Sequence, residues 1–370
     1  MARAGVWNRR DVIRAGSATA MAVAMSACGK SGTGSDAAAG SGKKTEFAIG
    51  WSIYTGFMPW YYAGKAGIVE KWARKYGIII NLVQVNDYIE SINQYTAGKL
   101  DGVLATTMDA LTIPAAGGRD TSVIIIGDYS NGNDGIVLKN GRSVRDIAGR
   151  SVNLVELSVS HYLLARALEQ AGMKLADVKT VNTGDADMIS SFAAPEVTAV
   201  AAWNPQLAQI RKEPGAVEVF NSSQIPNEIL DVMNVSTEVL QVNPDLGKAL
   251  AGIWYETMAV MQAGGAPAKM FVEQMASGAG TTPDSLEEQL KTTYFYLKPH
   301  DAATYMESAD LVMVTDRVRQ FSFSKGLFGP SASSIDAIGI AFPGGKVLGD
   351  KARVLLRFDP TYMKLAATGL

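Results

Sequence analysis

Side chains suited to chemistry are few in this chain. Its 370 residues include two histidines, His161 and His300, and one cysteine, Cys28. A zinc centre of the usual cysteine or multi-histidine kind needs three or four such ligands together, so that chemistry is excluded. Ser158, Ser160 and His161 lie close in sequence, but no Gly-x-Ser-x-Gly turn presents either serine as a nucleophile. His161 reads as a helix-entry residue or ligand contact and not as a general base. Gly29-Lys30-Ser31 has the form of the tail of a phosphate-binding loop, yet Ala24 stands where that loop needs glycine, and no strand precedes it. No catalytic residue, cofactor or metal is expected. What the chain carries at the ends of its predicted strands is acid without base: Asp87, Glu90, Asp109, Asp128, Glu156, Asp185 and Asp187.

The N-terminal segment is expected to set the location. Arg9-Arg10 sit in Asn8-Arg9-Arg10-Asp11-Val12-Ile13-Arg14, a twin-arginine export pattern. The apolar run from Ala15 to Ala27 is too short to span a bilayer. It ends in Met25-Ser26-Ala27-Cys28, the form of a bacterial lipobox, so residues 1–27 are expected to be a signal peptide and Cys28 the lipidated N-terminus. Residues 28–44, mostly Gly, Ser, Ala and Lys, read as a flexible tether. Removal of 1–27 takes away a net +3 and moves the formal charge from −2 to −5. That balance offers no basic face for nucleic acid. With no cysteine pair there is no disulfide framework, and stability must come from a buried core.

From Thr45 onward strands alternate with helices, which implies an α/β fold. Strands are expected at 47–51, 78–85, 102–106 and 122–127, with helices at 60–76 and 88–97. A second unit starts near Asp134, with strands at 135–138, 151–155, 178–182 and 199–203 around a helix at 158–171. The chain then returns through 217–220 and a strand at 230–235. The remainder reads as helix, including 244–263, 267–276, 283–293 and 300–315.

Four stretches carry a family resemblance. Met58-Pro59-Trp60-Tyr61-Tyr62-Ala63-Gly64-Lys65 and Tyr95-Thr96-Ala97-Gly98-Lys99-Leu100-Asp101-Gly102 are the first two. Ile147-Ala148-Gly149-Arg150-Ser151-Val152, followed by Ser158-Val159-Ser160-His161-Tyr162-Leu163-Leu164, is the third, and Ala201-Ala202-Trp203-Asn204-Pro205 the fourth. In this order they resemble the nitrate/taurine class of solute-binding proteins of ABC importers, and within it the urea-carboxylase-associated group, which is linked to guanidine or a related nitrogen compound. The resemblance implies a two-lobed periplasmic binding protein of type II, each lobe a mainly parallel sheet flanked by helices. Lobe I would be 45–134 plus 222–370, and lobe II 135–221. It also implies a monomer without enzymatic activity that hands a small ligand to an ABC permease and its ATPase, and that meets the membrane only through its lipid.

In such folds the ligand lies between the lobes, at strand C-termini. The expected contacts are Tyr54, Trp60, Asp87, Tyr88, Thr107, Asp109, Glu156, Ser160, His161, Asp185 and Trp203. Acids beside aromatic rings and without Lys or Arg suit a compact cation such as guanidinium, with Asp109, Glu156 and Asp185 as charge partners. Each acid alone serves equally well as a helix N-cap, so only their joint excess over bases carries the inference. Two rivals are a receptor for nitrate or alkanesulfonate, which would recruit a basic side chain, and an enzyme like the thiamine pyrimidine-precursor synthases. The latter carry a histidine-rich, cysteine-containing segment that this chain lacks.

Overall fold

Continuous apolar runs build the two sheets at the centre of the protein. The computed structural model describes residues 44–370, and the expected signal peptide, lipobox Cys28 and nearly all of the tether lie outside the described residues. Val123-Ile124-Ile125-Ile126 is buried on both faces, as the central strand of a covered sheet must be.

The strands in chain order are β1 (Glu46–Trp51), β2 (Ile79–Gln84), β3 (Gly102–Thr106), β4 (Thr121–Ser130), β5 (Asp134–Lys139), β6 (Ser151–Leu154), β7 (Lys179–Asn182), β8 (Ala199–Trp203), β9 (Ala216–Asn221), β10 (Leu230–Ser236), β11 (Thr293–Phe295), β12 (Gly339–Ala341), β13 (Val347–Leu348) and β14 (Val354–Phe358). The first sheet has the order β13-β12-β14-β4-β10-β3-β1-β2, with β11 added on β4; the second runs β7-β6-β8-β5-β9. Helices flank both, and each sheet has buried apolar clusters of its own. The α/β architecture with two helix-flanked sheets is therefore present.

Several elements differ from the sequence expectation. Most strands of each sheet share one direction, as expected, but not all: β10 runs antiparallel to both β3 and β4, and β5 antiparallel to both β8 and β9. The cause is connectivity, since β4 and β10 feed the two crossings between sheets and must run in opposite directions. The helix expected at 60–76 is two helices, Met58–Lys65 and Ile68–Lys75, parted at Gly67, whose φ of 73° a side-chain-bearing residue rarely adopts. The helix expected at 300–315 is likewise two, Pro299–Met306 and Ala309–Ser324, the second capped by Ser308. The C-terminal region also holds β12, β13 and β14, short strands inside a stretch whose glycines and prolines masked them.

The two crossings meet in one hydrogen-bonded knot. Ser222 Oγ accepts from Gly132 N (2.8 Å) and lies 2.6 Å from Ser130 Oγ, which in turn donates to Asp134. Asp134 N donates back to Ser130 Oγ at 3.1 Å. A second tie lies at Glu228 on the returning crossing. It accepts from Arg166 and Tyr162 of the helix Val159–Gln170 and from Arg317 of the helix Ala309–Ser324.

Candidate ligand-binding site

The strand ends of both sheets converge on a cavity of about 40 Å³. On the same measure one water needs about 10–15 Å³, so there is room for a molecule of a few heavy atoms. Its wall is built from both sides. The loop after β1 supplies Tyr54 and Phe57, the end of β3 supplies Thr106, and Tyr88 opens the helix Tyr88–Thr96. The first crossing contributes Asn133, the start of β5 Asp134, β10 Asp231, β8 Trp203, and the start of the helix Val159–Gln170 contributes Val159.

Four rings form a box. Tyr54 meets Phe57, Tyr88 and Trp203 edge-to-face, with centroids 5.9, 5.5 and 5.8 Å apart. Tyr54 also joins the two sides, because its hydroxyl donates to Asp185 Oδ2 at 2.5 Å. Behind the box, Tyr88 OH accepts from Thr106 N (2.9 Å) and donates to Asp109 Oδ2 (2.7 Å), which also takes a bond from Thr106 Oγ1 (2.8 Å).

The electrostatics are those of a buried acidic pocket. Asp134 is 2 % exposed and its Oδ1 has no hydrogen-bond partner; Asn133 Oδ1 is also unpartnered. Burial pushes the Asp134 carboxyl up to about 6, against hydrogen bonds from Ser130 and Asn133 and the Arg211 charge. Burial, and then the Asp134 charge, push Asp231 up to about 7. Asp128, facing Asp231 across the β4–β10 ladder, lies well above the usual carboxylate range through burial and the Asp231 charge. Burial also raises Asp109, although Tyr88 and Thr106 hydrogen-bond to it. The residues lining the cavity include no Lys or Arg.

Of the residues expected from sequence, Tyr54, Tyr88 and Trp203 stand in the cavity wall. Asp109 lies directly behind Tyr88, and Asp185 is engaged by Tyr54. The others stand elsewhere. Trp60 is 2 % exposed and stacks on Trp254 (5.6 Å between centroids) in the core of the first sheet. Asp87 caps the helix Tyr88–Thr96 through Glu90 N, and Thr107 is buried in the single turn Thr107–Ala110. Glu156 accepts from Thr180 on β7. Ser160 is fully buried with an unpartnered hydroxyl. His161 accepts from Leu157 N and packs edge-on against Phe321; burial, with Lys325 nearby, lowers it to about 4.

Sequence reasoning did not select Phe57, Asn133, Asp134 or Asp231 for the site. A signal existed for Asp231, the lone acid in the apolar run Ile229-Leu230-Asp231-Val232-Met233. An acid there breaks the strand pattern unless something in the fold uses it.

The fold is that of the periplasmic binding proteins. The chain superposes on the alkanesulfonate-binding protein SsuA of Xanthomonas axonopodis pv. citri with a TM-score of 0.65, at 16% identity over 78% of this chain and 96% of that one. It superposes on the nitrate-binding protein NrtA of Synechocystis PCC 6803 with a TM-score of 0.56, at 12% identity over 89% of this chain and 99% of that one. An inferred binding protein of Brucella abortus (strain 2308) is 27% identical over 147 residues, which are 39% of this chain and 46% of that protein. The matched stretch thus spans less than half of that relative. The NMT1/THI5-like family model matches residues 55–253, and the chain belongs to that family.

Proposed function

We propose that the protein is the extracytoplasmic solute-binding component of an ABC importer, anchored by lipid at Cys28, and that its ligand is a small guanidinium-type cation. The observation that carries the ligand class is the buried, unpartnered Asp134 Oδ1 in a cavity with Asp231, four aromatic rings and no basic side chain. A planar cation that donates from every edge matches these acceptors, and the ring faces suit its charge. The family and the fold support the importer role, as do relatives whose names refer to binding. The lipobox pattern supports the anchor.

One observation favours an anion such as nitrate or a sulfonate, the ligands named for the structural neighbours. The Trp203 indole N–H is without an acceptor, and Val159, at the start of the helix Val159–Gln170, lines the cavity. Magnitudes decide against it. A helix N-terminus offers an anion about 0.3–2 kcal/mol. One ionised carboxylate 4 Å away repels it by about 4 kcal/mol at an effective dielectric of 20.

Thermal melting of the purified protein at pH 7.5 tests this. A ligand that binds only the folded state stabilises it by about 2.7 kcal/mol at a hundred times Kd. Millimolar guanidinium chloride should raise Tm above a sodium chloride control, urea far less, and nitrate or taurine not at all. Stabilisation by nitrate or taurine with none by guanidinium would overturn the cation assignment and leave the binding-protein role standing.

A further inference from the structure

Under the cavity floor two carboxylates face each other with no donor between them. Asp231 on β10 is directly opposite Asp128 on β4. Both belong to the wall of a second small void, with Gly56, Phe57, Trp60 and Trp254. Gly56 packs over the pair so closely that a Cβ there would lie 2.4 Å from Asp231 Oδ2 and 2.7 Å from Asp128 Oδ2. Asp128 is 1 % exposed, and its Oδ2 has no hydrogen-bond partner. Two carboxylates in contact, one buried and one half-buried, repel each other unless a proton lies between them, which turns one into a donor.

We propose that the Asp128–Asp231 pair holds one proton in the ligand-free protein and releases it when a cation occupies the cavity, so that ligand capture is coupled to proton release. This rests on the cation assignment above and adds its regulation. The balance is simple: the pair passes from one negative charge to two, the cation supplies the compensating positive charge, and the proton leaves to the solvent. Asp231 is the member that lines the cavity, so a bound cation favours the ionised pair directly.

The groups acting on the pair come from each element packed on it. Asp134 at the start of β5 and Asp109 at the end of β3 are both acids that resist further ionisation. Tyr88 lies within the field of Asp231, and Tyr296, which follows β11, within that of Asp128. The loop after β1 and the helix Pro244–Gln262 present Gly56, Phe57, Trp60 and Trp254, which carry no charge. The proton held by the singly charged pair is the last to leave, so its release follows Asp128, well above the usual carboxylate range, and is read above the steps of Asp134 at about 6 and Asp231 at about 7.

The test is calorimetric titration of guanidinium into the full protein between pH 7 and 8.5, in buffers of differing ionisation enthalpy. The expected result is release of about one proton per ligand and an affinity that rises with pH, approaching tenfold per unit where the pair is mostly protonated. Asp128→Asn supplies the missing donor permanently, and in this variant both the proton release and the pH dependence above 7 should vanish while guanidinium still binds. Infrared spectra of the ligand-free wild type at pH 7.5 provide a check that does not depend on any variant folding. They should contain a buried protonated-carboxyl band that guanidinium abolishes. PH-independent guanidinium binding with no proton released, or absence of that band, overturns the coupling and leaves the cation assignment intact. Failure of guanidinium to bind at any pH overturns both.

Discussion

At the scale of single residues, the candidate site is distinguished by which acids line the cavity. Asp134 and Asp231 face the cavity, whereas Glu156 and Asp87 are occupied by Thr180 and by Glu90 N. Asp134→Asn keeps the shape and removes the charge. Loss of a charge-assisted bond should weaken guanidinium binding by about 1.5–3 kcal/mol, roughly 10- to 150-fold, in the same titration. A variant that binds like wild type would remove Asp134 from the site. Stability also has a defined sign. Asp134 and Asp231 titrate higher in the folded protein than in the unfolded chain. Their contribution is therefore complete below pH about 4 and lost as pH rises through 6 to 7. The ligand-free protein should lose stability from these groups across that window, and the Tm increase produced by guanidinium should grow across it. A guanidinium-induced shift that shrinks from pH 5 to 7.5 would contradict this assignment.

At the scale of elements, close approach of helices and rings depends on glycine. Gly247, in the helix Pro244–Gln262, faces the ring of Tyr362 in the C-terminal helix Thr361–Thr368 so closely that a Cβ would lie 2.3 Å from it. Tyr362 is 6 % exposed and has little room to withdraw. Gly247→Ala gains about 1 kcal/mol of helix propensity but overpacks the contact by about 1–3 kcal/mol. A net loss is expected, seen as a lower urea midpoint with an unchanged m-value. An unchanged or higher midpoint would show that the helix Thr361–Thr368 shifts without penalty. The same closeness at Gly56 ties the loop after β1 to the acid pair, so loop position and carboxylate geometry are set together.

At the scale of the whole molecule, the cavity and the crossings share residues. Asp134 lines the cavity and also belongs to the Ser130–Ser222 knot, and Tyr54 reaches across to Asp185. A cation held between the sides should favour the approach of the two sheets by bending at the crossings. Small-angle scattering should show a smaller radius of gyration with saturating guanidinium, and Tyr54→Phe, which lacks the hydroxyl that meets Asp185, should reduce the change. An identical radius with and without ligand would exclude closure. Glu228 ties the returning crossing to the helices Val159–Gln170 and Ala309–Ser324. Burial opposes its ionisation, but bonds from Arg166 and Tyr162 and the charges of Arg166 and Arg317 hold its carboxyl below the usual range. Glu228→Gln leaves two guanidinium groups without their shared carboxylate and should cost about 3 kcal/mol. A urea denaturation series reads that loss, and a variant as stable as wild type would show that solvent already screens the pair.

Sequence by itself determined the alternation of strands and helices through the two sheets. Apolar runs such as 123–126 and the helical period at 159–170 are local patterns that burial must satisfy wherever they fall. It also made Tyr54, Tyr88 and Trp203 legible as wall residues, because strand ends of an α/β fold converge on one crevice. Only the tertiary structure decided which acids matter. Trp60 sits near Tyr54 in sequence, yet it turns inward onto Trp254, and Asp231 gains its partner Asp128 from a strand about a hundred residues away. The missed strands β12 to β14 share this cause, since each is too short to show a period and exists through its neighbours. Local pattern fixes which face of an element is buried. The charge of a pocket depends on which side chains from distant elements are left without partners when the sheets come together, and that is a property of the assembled fold.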